Sequence, residues 1–362
     1  MTAVADRIDT GGIAGRERAG LVKAWLYTIA VLVAAMVVVG GATRLTHSGL
    51  SITEWRPIHG VIPPLTSEEW AEEFAKYRQI PEYQAIHADM TVEGFKGIFW
   101  WEWSHRLLGR IIGFVVLLPL IALWATGRIE KRLVPQILLM VGLGGLQGAV
   151  GWWMVASGLQ ERTDVSQYRL ATHLVLACLI LAYVLWVARG LSPAHAVRAA
   201  ATRHRASWLI GLVMLQIYFG ALVAGLDAGL VFNTWPLMGT GLVPGEVLAH
   251  SPWWLNFFEN AATVQFCHRS IAYTVFVVAI VHAVATARSE GRGGLAAGAA
   301  LLALAVSAQA ILGIATLLLA VPLPVALAHQ FGAVVVLAIA VLHRRAMAGA
   351  AEPAARPLQR FA

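Results

Sequence analysis

Four of the twelve histidines in this sequence stand where solvation does not explain them. His105, His173, His268 and His329 each lie near one end of a long apolar stretch. An ionisable side chain in such a place is costly and marks function by default. Neutral imidazole is the commonest metal ligand, and two imidazoles on facing helices of a bundle suit the axial positions of a six-coordinate haem. Zinc is the rival. A structural zinc takes four ligands, so all four histidines would have to converge, because no carboxylate or cysteine stands by each pair to complete a separate site. A lone buried histidine is as readily satisfied by a neighbouring helix, but four at matched depth ask for one cause. His47, His59, His87, His195, His204 and His250 fall in connecting segments and read as surface residues. His282 and His343, toward the opposite ends of their stretches, read as structural.

The two histidine pairs differ in their surroundings. Glu102 precedes His105 by three residues, and Gln265 precedes His268 by the same interval. Residues at i and i+3 share a helix face, so a carboxylate stands one turn outward of the first pair and a neutral amide beside the second. The carboxylate can serve as a base, as a nucleophile or as a stabiliser of developing positive charge; the competing reading is a helix N-terminal charge on the dipole. Gln265 neither titrates nor attacks. The first half therefore reads as reactive, and its counterpart as a holding site for a permanent cofactor. Arg106 and Arg269 follow the histidines directly, where a guanidinium pairs with haem carboxylates or snorkels to lipid head groups. The stripe Gly142, Gly144, Gly145, Gly148 and Gly151 permits close approach to a flat macrocycle and equally fits helix packing.

These residues need helices of a particular kind to carry them. A bilayer span takes about 20 predominantly apolar residues, and eight such stretches occur, at 24–43, 98–124, 133–156, 170–188, 208–225, 262–285, 295–319 and 324–343. The chain repeats itself across them. Ser104-His105-Arg106 returns as Cys267-His268-Arg269, Thr172-His173-Leu174 as Ala328-His329-Gln330, and Gln147 with Gly151 as Gln309 with Gly313. Gly41-Ala42, Gly49-Leu50, Trp55, Pro57 and Gly60 return as Gly220-Ala221, Gly229-Leu230, Trp235, Pro236 and Gly239. The offset falls from 179 or 180 in this last match to 163, 162 and 156 in the others, so the extra length of the first half lies in its outer loop. The expected architecture is all-α: a polytopic membrane protein of eight helices in two pseudo-symmetric four-helix bundles, related by an axis along the membrane normal. Residues 1–23 form an N-terminal segment, 24–188 the first half with its long outer loop at about 44–97, 189–207 a linker, 208–343 the second half, and 344–362 a tail.

Composition excludes the soluble alternatives. The 362 residues are 58% hydrophobic and 13% charged, against about 25% charged in soluble domains. The net charge of +7 does not signal a nucleic-acid partner: 17 of the 27 Lys and Arg residues lie in the N-terminus, three alternate loops and the tail, while the loop at 226–261 has none. That is positive-inside asymmetry, which places both termini in the cytoplasm and the haem sites toward the periplasm of a bacterial inner membrane. Span one follows a polar, mixed-charge start rather than the short basic tip of a cleavable signal, so it is read as retained. Cys178 and Cys267 both fall inside spans and read as small buried hydrophobes. In the first outer loop, 67–78 patterns as a short amphipathic helix with Trp70, Phe74 and Tyr77 on one side, either lying in the interface or packed on the protein. The tail after 346 is rich in Ala, Pro and Arg and reads as disordered.

With these residues assembled, the chain resembles haem A synthase over nearly its whole length. The resemblance is carried by Glu102-Trp103-Ser104-His105-Arg106, Thr172-His173, His268-Arg269 and Ala328-His329-Gln330-Phe331-Gly332. Gly40-Gly41-Ala42-Thr43-Arg44-Leu45-Thr46 and Ser48-Gly49-Leu50 resemble the family's first outer loop. The resemblance implies an oxidoreductase that hydroxylates one methyl of haem O twice, loses water and leaves the formyl group of haem A for terminal oxidases. It implies that haem O binds as substrate at His105 and His173, that haem b is the cofactor at His268 and His329, and that Glu102 takes part in the oxidation. Some bacterial members pair cysteines in the outer loops, and this sequence has none there; its longer first loop is closer to the mitochondrial and alphaproteobacterial branch. Membrane lipid, haem O synthase, an electron acceptor and a second copy of the chain are the partners compatible with this reading. The residues alone also fit a non-catalytic diheme cytochrome or haem carrier, or a quinone-reactive diheme cytochrome.

Overall fold

The computed structural model describes residues 10–55, 59–159 and 162–347; the predicted disordered tail and the repeat position Pro57 lie outside them. Among the described residues eleven α-helices follow one another: α1 Thr10–Leu45, α2 Ser67–Tyr77, α3 Pro81–Ile86, α4 Val92–Ala125, α5 Val134–Val155, α6 Gln167–Gly190, α7 Ala200–Gly225, α8 Asn256–Glu259, α9 Ala261–Glu290, α10 Gly294–Leu318 and α11 Leu323–Arg345. Eight of them (α1 from Gly20, α4 to α7, and α9 to α11) are long and apolar enough to cross a membrane. A helix satisfies its backbone polar groups internally, which is what a spanning segment requires. Most of the spanning helices overrun the expected ends, α5 being the exception that falls within its expected 133–156. α1 continues through Gly40, Gly41 and Ala42 to Leu45, so residues expected in the first outer loop belong to its last turns.

Local signals account for the helix boundaries. The Thr91 hydroxyl accepts from Gly94 N at the start of α4, and Asn260 accepts from Thr263 N at the start of α9, satisfying donors that the first turn leaves unpaired. α1 stops where His47 adopts φ 48° and Ser48 N donates back to Thr43 O.

α1, α4, α5 and α6 pack among themselves, as do α7, α9, α10 and α11, and the two sets meet through α1, α6, α7 and α11. Their shared core includes Leu26, Ile29, Leu181, Leu209, Leu302 and Leu337, all almost completely buried. Arg44 ties the sets together at the outer side. It pairs with Asp164 at 2.8 Å and with Asp227 at 3.1 Å, and donates to Ala224 O at the end of α7. The α9–α10 seam is closely packed along its length, whereas α4 and α5 touch only sparsely.

The long outer loop of the first half folds into a cap. Thr66 and Glu69 form a reciprocal capping box that starts α2. Trp70, Phe74 and Tyr77 then bury against Phe95, Ile98 and Phe99 at the outer end of α4. Of the two arrangements open to the 67–78 helix, this is the packed one. Each buried aromatic ring contributes roughly 1.5–3 kcal/mol relative to exposure.

Candidate functional site

The four candidate histidines project from α4, α6, α9 and α11, and each ring lies against a glycine of a neighbouring helix. A Cβ at Gly151 would stand 2.9 Å from His173 Cε1, at Gly220 3.1 Å from His268 Cε1, and at Gly313 2.8 Å from His329 Cε1. At Gly40 it would meet His105 Nε2 at 3.3 Å. Only Gly lets these rings sit so near the helix backbone. The remaining glycines of the α5 stripe, Gly142, Gly144, Gly145 and Gly148, have nothing within 4 Å, so the stripe has one residue that faces a ligand candidate.

One turn from three of these glycines stands a glutamine. Gln147 Nε2 lies 3.1 Å from His173 Nδ1, Gln216 Nε2 3.1 Å from His268 Nδ1, and Gln309 Nε2 3.1 Å from His329 Nδ1. Residues at i and i+4 share a helix face, so the pattern Gln-x-x-x-Gly supplies a polar partner and a clearance to the same ring. Gln147 and Gln309 also donate to the carbonyl of the histidine they face. On α1 the pattern reads Met36-x-x-x-Gly40, and among the described residues no side chain hydrogen-bonds the His105 ring.

Glu102 and Gln265 both fasten the outer loop of their own half. Glu102, 3% exposed, accepts from Ser51 Oγ at 2.8 Å and Ile52 N at 2.7 Å, and from Arg106 Nε and Nη2. Arg106 goes on to donate to Glu54 O and Ile52 O. In the second half Gln265 Nε2 donates to Phe232 O at 3.1 Å, and Arg269 Nη2 donates to Thr234 O, Pro236 O and Leu237 O. Ile52 and Glu54 correspond to Phe232 and Thr234 at an offset of 180, as Gly40 does to Gly220. The contacts thus pair Gly220 with Gly40, where the sequence match had set Gly220 against Gly41. The two arginines differ as well: Arg269 Nη1 is buried without a partner, while Arg106 is fully engaged with Glu102 and the loop.

Three further features surround these sites. Glu82, in the cap, is 3% exposed, and its Oε2 is buried without a partner. Burial, reinforced by the Asp164 and Glu102 carboxylates and opposed by Arg44, pushes its carboxyl up to about 8. His282 and His343 are buried and meet through their Nε2 atoms at 2.9 Å, a hydrogen-bonded pair with no space between the nitrogens. Cys178 is buried and Cys267 half-buried, and both are free thiols.

The second pair has the spacing that two imidazole ligands of one metal require. Two metal–imidazole bonds of about 2.0 Å place ring centroids roughly 6 Å apart, and the His268 and His329 centroids are separated by 6.5 Å. The Oε1 atoms of Gln147, Gln216 and Gln309 are all buried without partners. A half-turn of each amide brings that oxygen to Nδ1, where it accepts the N–H that an Nε2-ligated imidazole presents. In the sequence Gln147 and Gln309 stand out only as repeat markers, Gly40 only as part of the family-like stretch, and Gln216 not at all; the recurring Gln-x-x-x-Gly spacing is the signal that finds Gln216.

Known proteins resemble this chain over most of its length. The profile of the family described as cytochrome oxidase assembly protein matches residues 23–341. A protein of Chelativorans sp. named heme A synthase is 59% identical over 339 residues, covering 93% of this chain and 94% of its own. Heme A synthases of Allorhizobium ampelinum and Brucella anthropi are 56% and 52% identical, covering 92% and 97% of this chain and 92% and 99% of their own.

Proposed function

Because the chain belongs to the cytochrome oxidase assembly protein family, we propose that it is a haem A synthase with one working half and one holding half. It is a multi-span membrane oxidoreductase that converts haem O to haem A. In the working half His105 and His173 hold the substrate haem O. In the holding half His268 and His329 hold haem b, anchored by Gln216 and Gln309. When bound, haem b supplies an electron-transfer centre on the way to an acceptor. The arrangement of charge along the sequence supports a bacterial inner membrane with both termini cytoplasmic and both pairs toward the periplasm.

The observation that carries this reading is the inequality of Glu102 and Gln265 at corresponding positions, three residues before His105 and His268. A chain that merely stored two haems would need no carboxylate at one site alone. Glu102 lies one helical turn outward of His105 and is held by Ser51, Ile52 and Arg106. So fixed, it keeps a carboxylate oriented where positive charge or a proton develops as the substrate methyl is oxidised. Its tethering favours electrostatic stabilisation or proton acceptance over covalent attack, which requires a carboxylate free to advance. The cap over the outer end of α4 keeps bulk water from this carboxylate. Arg269, with Nη1 unpaired, is the arginine able to meet a haem propionate.

Extraction of haem from the purified protein and identification by mass tests the reading. Haem b together with haem O or its oxidised products is expected. Haem b alone, in both halves, overturns it in favour of a diheme cytochrome.

A further inference from the structure

The first half differs from the second in how it holds its outer-helix histidine. His268, on α9, is braced twice: Gln216 bonds its ring, and α10 packs closely along α9. His105, on α4, has neither brace. The position equivalent to Gln216 at the offset of 180 is Met36, whose thioether is only a weak acceptor for an imidazole N–H. Met36 occupies the right place for the comparison, since a Cβ at Gly109, one turn inward of His105, would meet its Cε at 3.4 Å. α5 touches α4 only sparsely.

The ring itself is also turned. His173, His268 and His329 each present the Cε1–Nδ1 edge to their glycine, whereas His105 presents Nε2 and Cε1, its nearest atom to the Gly40 position being Nε2. With no Nδ1 partner to fix it, an imidazole rotates about its side-chain torsions and chooses its tautomer freely. Partners of this kind orient ligand histidines and raise their basicity, and losing one typically costs about 10- to 100-fold in affinity.

We propose that His105 is the releasable ligand through which the first half exchanges its haem, and that Met36 is the positioning residue that keeps it releasable. This rests on the assignment of the substrate haem to the first half. A synthase must let its product go at every turnover while its cofactor stays. Three ligands are held by amides, and the fourth, on the helix that α5 touches only sparsely, has no amide to fix its ring.

The test follows haem loss from the protein purified with its haems in detergent, mixed with an excess of haem-scavenging apoglobin, the released species being identified by mass. The parent is expected to lose haem O or its products quickly and haem b slowly. Met36→Gln should slow the fast loss by about 10- to 100-fold and leave the slow one alone. Gln216→Met should speed release of haem b by a similar factor. A parental fast rate in well-folded Met36→Gln overturns the proposal. Should that variant not fold, an unchanged haem b rate in Gln216→Met overturns it equally. Failure of the underlying assignment looks different: the parent itself loses a single haem species at a single rate.

Discussion

Replacing Gly313 by Ala should empty the haem b site without unfolding the protein. The added Cβ stands 2.8 Å from His329 Cε1 and 3.3 Å from Nδ1. Carbon–carbon contact is comfortable from about 3.5 Å, so the ring must retreat by roughly 0.7 Å. Ligand distances in a metal site tolerate about 0.2 Å. The ring cannot both retreat and ligate. Overpacking of this size costs about 1–3 kcal/mol, which removes about 5- to 150-fold in haem affinity at 1.4 kcal/mol per tenfold. The helix gains in the same exchange, since Ala is favoured over Gly by about 0.8–1.0 kcal/mol in a helix interior, so folding stability changes little. Gly148→Ala is the matched control, because nothing lies within 4 Å of its Cβ position. The assay is haem b per protein, by absorbance and mass, beside a thermal melt. A Gly313→Ala protein with full haem b and an unaltered spectrum would refute the argument from clearance.

Four other outcomes are expected. Glu102→Gln should retain haem yet lower formyl formation by about 10²- to 10⁴-fold if the carboxylate moves a proton, and undiminished haem A production rejects its catalytic role. Glu82, neutral when buried until about pH 8 and ionised above its ordinary value of 4.5 when unfolded, binds more protons in the folded state between these values. Stability therefore falls as pH rises from about 4.5 to about 8, by at most about 1.4 kcal/mol per unit, and Glu82→Gln should flatten that slope in melts at several pH values. Arg269→Gln should weaken haem b retention in the scavenging assay, whereas Arg106→Gln should act on the loop and on Glu102, seen as faster proteolysis of the 46–90 segment. A Cys178→Ala, Cys267→Ala protein should still make haem A, and loss of product would revive a thiol-dependent step.

The spans and the four histidines are legible in the sequence because both signals are strong in a membrane. A run of apolar residues long enough to cross a bilayer is rare in a soluble fold, and a histidine inside one is rarer. Glu102 against Gln265 is readable because the repeat places the two positions in register. Gln216 escapes for the opposite reason: the halves are matched by identity, and Met36 offers none. The offset between Gly40-Gly41-Ala42 and Gly220-Ala221 is ambiguous by residue type, and the contacts of Gly40 and Gly220 with their histidines decide it. The roles of Arg106 and Arg269 depend on backbone carbonyls of the loops, which no side-chain pattern announces.

One contact bears on how the two halves came to be unlike. Glu102 takes a hydrogen from the N–H of Ile52, and Gln265 gives one to the carbonyl of Phe232, its counterpart. The backbone group presented at that place is opposite in the two loops. A carboxylate put at 265 would face an oxygen, and an amide at 102 would have to turn its own oxygen to the Ile52 N–H. Chemistry therefore cannot migrate from one copy to the other by exchanging a single side chain, because the loop must be rebuilt with it. The proposed division of labour would then rest on the chain path as well as on the residues, which makes it hard to reverse.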